Sequence, residues 1–173
     1  MKPFILLTAS ALALASLESW GQATGPTDPQ IAAIVVTANQ VDIDAGKLAE
    51  SKSKNKEVKA FARQMVTDHS GVNKSATALV TRLKVTPEDS ATSASLKSGG
   101  DANIKRLETL RGSAFDRAYI DNEVTYHQNV LDAIDHTLIP SAQNADLKAL
   151  LVKVRPAFEA HLAHAKQIQS AMR

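Results

Sequence analysis

The chain has 173 residues, of which 44% are hydrophobic and 22% are charged, and its formal net charge is +2. This composition is typical of a globular domain and excludes a disordered or collagen-like chain. The chain has no cysteine, which excludes disulfides, thiolate zinc sites, cysteine nucleophiles and cysteine-held iron–sulfur clusters. Because the charge is near neutral, nucleic acid is not expected as a partner.

Residues 1–23 have the pattern of a cleavable export signal. Lys2 supplies a positive start, residues 4–17 form an apolar run, and Gly21 and Ala23 are small residues of the kind that a signal peptidase recognises. The run is short for a membrane-spanning helix, which disfavours the alternative of a retained anchor. We therefore predict cleavage after Ala23, a periplasmic location and a mature chain without a transmembrane segment.

Two helices are predicted in the first half of the mature chain. Residues 24–29 form a short leader, and residues 30–173 form one domain in which apolar residues recur every three or four positions, which is the helix period. The first helix covers residues 30 to about 53, with Asp28 as its N-cap. The second helix begins after Asn55, which is predicted as its N-cap, and ends before Pro87.

A crossover of about residues 84–112 separates this pair from the next. Its Ser98-Gly99-Gly100 stretch predicts a loop, and a short helix follows from Ile104 to the region of Gly112.

Two more helices are predicted in the second half. The third begins near Ser113 and is closed by Pro140, and the fourth carries apolar residues from Leu147 to Met172. Pro156 lies inside the fourth pattern and is expected to kink or divide the helix, because proline lacks a backbone donor.

Short turns near Lys54 and Ser141 make each pair of helices antiparallel, and the sequence has no competing strand signal. The predicted fold is therefore all-α. It is a ferritin-like four-helix bundle of two antiparallel hairpins, joined by a long crossover with a short extra helix.

Histidines interrupt the apolar seams of three helices. His69, His127 and His161 each stand where the spacing calls for an apolar residue, and Asp42 flanks the seam of the first helix. Glu123 precedes His127 by four residues and shares its face. The helical rise places Asp42 level with His69, and Glu123 level with His161. The register between the two hairpins stays open.

Other polar side chains fit a solvated surface. His136 and His164 lie off the seams. Asp68 is adjacent to His69 but points about 100° away from it around the helix, so the two do not form a ready-made dyad.

Four segments together resemble a known family. They are VDIDAGKLA at residues 41–49, VKAFA leading to MVTDH at 58–69, FDRAY at 115–119 followed by His127, and Pro156 followed by His161-Leu162. They are similar to the exported bacterial proteins called the domain of unknown function 4142 family, sometimes labelled predicted outer membrane proteins. The resemblance covers almost the whole mature chain.

The resemblance implies a ferritin-like bundle, export, and association with the envelope or outer membrane. It implies no reaction, because the activity of the family is not established, and it names no protein partner. The Glu-x-x-His signature of di-iron ferritins is missing, and only Glu123-x-x-x-His127 occurs, so the usual ferroxidase constellation is not expected. The positions that match the family pattern are Asp42, Asp44, His69, Asp116, Tyr119, His127 and His161.

Two functional hypotheses follow. In the first, the bundle core holds a transition metal (iron, manganese, zinc or copper), with His69, His127 and His161 as ligands and Glu123 and Asp42 as carboxylate partners. Oxygen or peroxide chemistry would then be the natural reaction if the protein is catalytic. In the second, the protein is a non-enzymatic envelope or stress-related protein without a metal, and these residues form a core polar network.

The arrangement of the rings discriminates between the two hypotheses. Ring nitrogens that converge with a carboxylate favour the metal site, whereas rings at separate levels, each bonded to its own partner, favour the polar network.

Overall fold

The computed structural model describes residues 25–172, and every regular element within that range is helical. The predicted export signal lies outside the described residues. A π-helical turn covers Ile134–Leu138. The helices are α1 Asp28–Lys52, α2 Lys56–Leu83, α3 Ala91–Thr109, α4 Gly112–Ala133, α5 Ile139–Ser141 and α6 Ala145–Ala171.

The prediction of an all-α bundle is confirmed. α1 packs on α2, α4 packs on α6, and α2 contacts α6 across the bundle. The short turn between α1 and α2 makes the first pair a hairpin, and the turn between α5 and α6 does the same for the second pair. The ferritin-like relationship stays a prediction.

Capping side chains set the start of both helices of the first hairpin. The predicted N-cap of α2 is confirmed, since the Asn55 side chain accepts from the backbone N–H groups of Glu57 and Val58. The predicted cap of α1 is wrong by one residue. Thr27 caps the helix in a reciprocal capping box with Gln30.

Asp28 has a different role from the predicted cap. Its two carboxylate oxygens accept from the backbone N–H groups of Gln143 and Asn144, at 2.9 Å each. The first residue of α1 thereby ties down the turn that precedes α6.

The crossover differs most from its prediction. The stretch Ser98-Gly99-Gly100 is helical and lies inside the 19-residue α3, not in a loop. α3 packs on the outside of α1. A Cβ placed on Gly100 would lie 2.7 Å from a methyl carbon of Val41. Glycine at this position therefore allows the two helices to approach closely. The prediction of a loop at this stretch is wrong.

The two prolines inside helical segments have different consequences. Pro140 cannot donate to the carbonyl four residues back, and just before it the N–H of Ile139 bonds to the carbonyl of Ile134, five residues back. Pro156 does not divide α6, which is continuous. Pro156 and Val152, whose carbonyl loses the usual N–H donor to the proline, are both exposed residues.

Two apolar clusters fill the core. The first apolar cluster contains Ile34, Leu79, Leu131 and Phe158 with their neighbours. The second apolar cluster contains residues that include Ala45, Phe61, Met65, Phe115, Ile120 and Ala165.

Buried polar residues stand between the two clusters on each long bundle helix. They form what we term the polar layer: Asn39, Asp42, His69, Glu123, His127 and His161. None of the helices within residues 25–172 combines the length and the apolar character needed to cross a membrane.

Candidate metal centre

All five residues of the predicted metal site lie in the polar layer and are buried. α1 contributes Asp42, α2 contributes His69, α4 contributes Glu123 and His127, and α6 contributes His161, each at most 2% exposed. The helix period places the three histidines inward, because each replaces an apolar residue on the buried seam of its helix. Asp42 and Glu123 lie beside these seams. The two hairpins therefore meet in register at this level.

His69 is held through one ring nitrogen and leaves the other free of a partner. The Asn39 amide donates to the carbonyl of Val35 at 2.7 Å, so its oxygen faces His69. The Nδ1–H of His69 donates to that oxygen at 2.7 Å. In a neutral ring Nε2 then carries a lone pair. This atom lies 2.6 Å from Oδ2 of Asp42, and it can donate to that oxygen only when the ring carries a second proton.

His127 repeats this pattern on α4. Its Nδ1–H donates to the backbone carbonyl of Glu123 at 3.0 Å. Its Nε2 is buried without a hydrogen-bond partner and lies 3.5 Å from Oδ2 of Asp42. Burial lowers the pKa of His127 to about 4, although the charge of Asp42 opposes this shift. The ring is therefore neutral at pH 7, which is the form that binds metals.

His161 shows the pattern with its ring nitrogens exchanged. Its Nε2–H donates to Oδ2 of Asp68 at 2.9 Å, and its Nδ1 is buried without a partner. Burial lowers the pKa of His161 below its ordinary value, against the opposing effect of the Asp68 hydrogen bond. This ring too is neutral at pH 7.

The three imidazoles converge. One ring nitrogen from each of His69, His127 and His161 lies within 4.8 Å of the other two. Two ligands of one ion are at most about 4.4 Å apart, so only small side-chain adjustments separate this arrangement from a coordination shell. Histidines that bind metals typically donate their other N–H to a carboxylate, a carbonyl or an amide oxygen, as all three do here.

The two buried carboxyl groups have opposite electrostatic environments. Burial alone would raise the pKa of Asp42, but the adjacent His69 and His127 outweigh that effect and hold it below its usual value. Burial together with the charge of Asp42 raises the pKa of Glu123 well above its usual value. The pKa values of the two carboxyl groups therefore shift in opposite directions, and Asp42 is the more readily ionised of the two.

Three further residues were singled out from the sequence, and only one lies beside the layer. Tyr119 is buried next to it, one turn before Glu123, and its hydroxyl has no partner. Asp44 is exposed and accepts from Gln40. Asp116 is buried at the α1–α2 turn, where it accepts from the Ser53 hydroxyl at 2.6 Å. Its role is to hold the end of α1.

The residues that anchor His69 and His161 were missed. Asp68 points away from its neighbour His69, but it reaches His161 across the contact between α2 and α6. Asn39 stands three residues before Asp42 and so shares its side of α1, which is the one signal that could have found it. The partner of Asp68 could not be predicted without knowing how α2 and α6 pack.

A groove leads from solvent to the layer. It lies between α2 and α6, has a volume of about 510 Å³, and includes His69 and His161 in its lining. Asp68, Gly71 and Phe158 also line it. Solvent therefore reaches the polar layer from the side of α6, through the groove between α2 and α6.

These features define a class of protein: an all-α bundle with a buried layer of histidines and carboxylates at the middle of its core. The chain belongs to the DUF4142 family, a domain of unknown function, whose family model matches residues 14–168. The family resemblance predicted from the sequence is thereby confirmed.

Two solved structures share the fold. CopM in its Cu(II)-bound form has a TM-score of 0.68 and 17% sequence identity, over 86% of this chain and 99% of that chain. A Streptomyces coelicolor protein, described as a putative secreted protein of the DUF305 family, has a TM-score of 0.68 and 12% identity, over 83% of this chain and 91% of that chain. At these identities the similarity establishes the fold alone. No curated protein matches the sequence.

Proposed function

We propose that the protein binds a transition-metal ion in its polar layer. The ligands are Nε2 of His69, Nε2 of His127, Nδ1 of His161 and the carboxylate of Asp42. The observation that carries this proposal is the shared pattern of the three rings. Each is fixed through its outer N–H, and its inner nitrogen is buried without a hydrogen-bond donor.

The donor set favours copper or zinc. Three imidazoles and one carboxylate form a nitrogen-rich site without thiolate, and copper(II) has the highest affinity among divalent first-row metals for such ligands. The fold shared with a protein solved in a Cu(II)-bound form supports this choice. Iron and manganese, which are also predicted from the residue types, prefer more oxygen ligands or open positions.

The alternative of a purely structural polar network explains only part of the arrangement. It explains the outer hydrogen bonds of His69, His127 and His161. Hydrogen bonds from His69 and Glu123 can satisfy Asp42 within such a network. The network gives no partner to the inner nitrogens of His127 and His161, which are buried. Unpartnered buried polar atoms are rare in native cores because each loses its hydration without compensation. A cation bound between the rings would compensate both of these nitrogens.

The groove between α2 and α6 supplies a route for the ion. Its lining includes His69 and His161, and Asp68 is 41% exposed there and offers a first carboxylate oxygen to an arriving cation. We infer that the ion exchanges with solvent on this side of the layer.

Metal analysis of the untagged protein tests the proposal. We expect about one equivalent of copper or zinc after incubation and dialysis, and loss of that equivalent when His69, His127 and His161 are all changed to alanine. His136→Ala is the matched control, because His136 is exposed and outside the layer. Absence of bound metal from the wild type after incubation with copper, zinc, iron and manganese would contradict the proposal and leave the polar network.

We also propose that the protein acts outside the cytoplasm. The predicted signal in residues 1–23 supports export, and so does the description of the DUF305 relative as secreted. The mature chain then begins at Thr24. Mass spectrometry of the protein purified from its native envelope fraction checks this, and an intact N-terminus in that fraction would contradict cleavage.

A further inference from the structure

Several buried oxygen atoms remain without partners after one ion is placed among the histidines. His69, His127, His161 and one oxygen of Asp42 complete a four-coordinate set. The second oxygen of Asp42, Oε2 of Glu123 and the hydroxyl of Tyr119 are still buried and unpartnered. These leftover atoms come from α1 and α4, on the side of the layer that the groove does not reach.

The carboxyl groups of Asp42 and Glu123 lie close together. One oxygen of Asp42, one oxygen of Glu123 and one ring nitrogen of His127 lie within 4.8 Å of one another. Nδ1 of His127 is already bonded to the Glu123 carbonyl, and Nε2 faces the first ion, so the free donors here are oxygens. Two carboxyl groups side by side in a dry core repel each other when ionised, and either a proton or a cation must relieve that repulsion.

We propose a second, oxygen-rich cation position held by Asp42 and Glu123, with the Tyr119 hydroxyl beside it. Asp42 is shared between the two positions, one oxygen to each. The inference rests on the proposed function. The second oxygen of Asp42 is left for this position only if the first oxygen binds the ion among the histidines.

The two positions differ in chemistry. The first offers three nitrogens and suits copper or zinc. The second offers carboxylate and hydroxyl oxygens, which suit harder divalent ions such as manganese(II) or iron(II). The two positions are therefore expected to take unlike ions.

A sequential titration tests this assignment. The protein is loaded with one equivalent of zinc and then titrated with manganese(II), whose free and bound forms are counted by electron paramagnetic resonance. We expect one manganese per chain in the wild type. Glu123→Gln should keep its zinc and weaken manganese binding at least tenfold. Glu159→Gln should bind both ions, because Glu159 is an exposed glutamate paired with Arg155.

A second readout reports whether the ions share Asp42. In protein loaded with one copper(II) and one manganese(II), we expect the copper signal to lose intensity through magnetic coupling. In Glu123→Gln the copper signal should return to full intensity. Thermal unfolding of the variant checks that it folds.

The outcomes separate the two proposals. Zinc binding without manganese binding would overturn the second position and leave the first. Two zinc equivalents in the wild type with one in Glu123→Gln would support the second position with zinc in it. No zinc binding at all would overturn the proposed function and this inference with it.

Discussion

The two sides of the polar layer contrast in their access to solvent. On the side of α6, His161 is bonded to Asp68, whose side chain is 41% exposed at the edge of the groove. On the side of α4, His127 lies beside Glu123, and both are sealed from solvent. A histidine and a carboxyl group meet on each side, and on the sealed side burial and the charge of Asp42 raise the pKa of Glu123 well above its usual value. The two sides therefore differ in solvent access and not in residue type.

The largest effect is expected from Asp42, which both sides share. Asp42→Asn removes the only ionised ligand of the layer, and we expect metal affinity to fall about a thousandfold, or about 4 kcal/mol, as for the loss of one partner of a buried charge pair. Asp44→Asn is the matched control, since Asp44 is exposed on the same helix. Equal affinities of the two variants in competition titrations would contradict the ligand role of Asp42.

Acid sensitivity should concentrate on the sealed side. The pKa of His127 falls from 6.5 to about 4 on folding, so its contribution to stability is fully present above about pH 6.5 and is lost as the pH falls toward 4. The linked free energy is of the order of 3 kcal/mol. Urea unfolding of the metal-free protein between pH 7.5 and 4.5 measures it.

Two variants give the comparison for this pH dependence. His127→Leu should remove more of the slope than His161→Leu, because His161 keeps the favourable contact with Asp68. Equal slopes in the two variants would show that the two sides respond alike to acid.

Exchange of the ion should depend on the open side. A Cβ at Gly71 would meet nothing within 4 Å, and Gly71 lines the groove. Gly71→Phe should fill the groove and slow both metal uptake and removal by a chelator about tenfold, with little change in affinity. Stopped-flow measurements follow both rates.

Gly99→Phe is the matched control for the groove. Gly99 is an equally unobstructed helical glycine, and it lies on α3 away from the groove. Unchanged exchange rates in Gly71→Phe would mean that the ion enters elsewhere.

The smallest effect is expected from Glu123 in the metal-free protein. Its raised pKa means that its stability contribution is present at low pH and is lost as the pH rises through the folded-state pKa. Glu123→Gln has no proton to lose, so it should become more stable than the wild type at alkaline pH, by about 1 kcal/mol. Thermal unfolding at pH 6 and pH 9 measures the difference, and a constant offset between the two proteins would contradict it.

The inward histidines could be predicted because the helix period alone decides which face is buried. The rise per residue also placed Asp42 level with His69 within one hairpin, as the structure has them. The register between the hairpins could not be predicted, since it depends on how the crossover packs. The partnership of Asp68 with His161 depends on the same packing, and so it was missed.

Predictions from the local sequence were wrong at two residues whose roles depend on tertiary contacts. Gly100 reads as a loop residue in the sequence, but its missing side chain makes room for Val41. Asp28 reads as a helix cap, but its carboxylate bonds to the turn before α6. In both cases a contact made far along the chain decides the role of the residue.

The spread of the ligands along the chain has a consequence for unfolding. Asp42 and His161 stand near opposite ends of a chain that has no cysteine. An ion held between them acts as a reversible cross-link, and closing a loop of 100 residues removes about 4.7 kcal/mol of chain entropy from the unfolded state when the link survives. This link is lost when the ligands separate. The metal-loaded bundle should therefore unfold in one cooperative transition, whereas in the metal-free bundle one hairpin can unfold before the other.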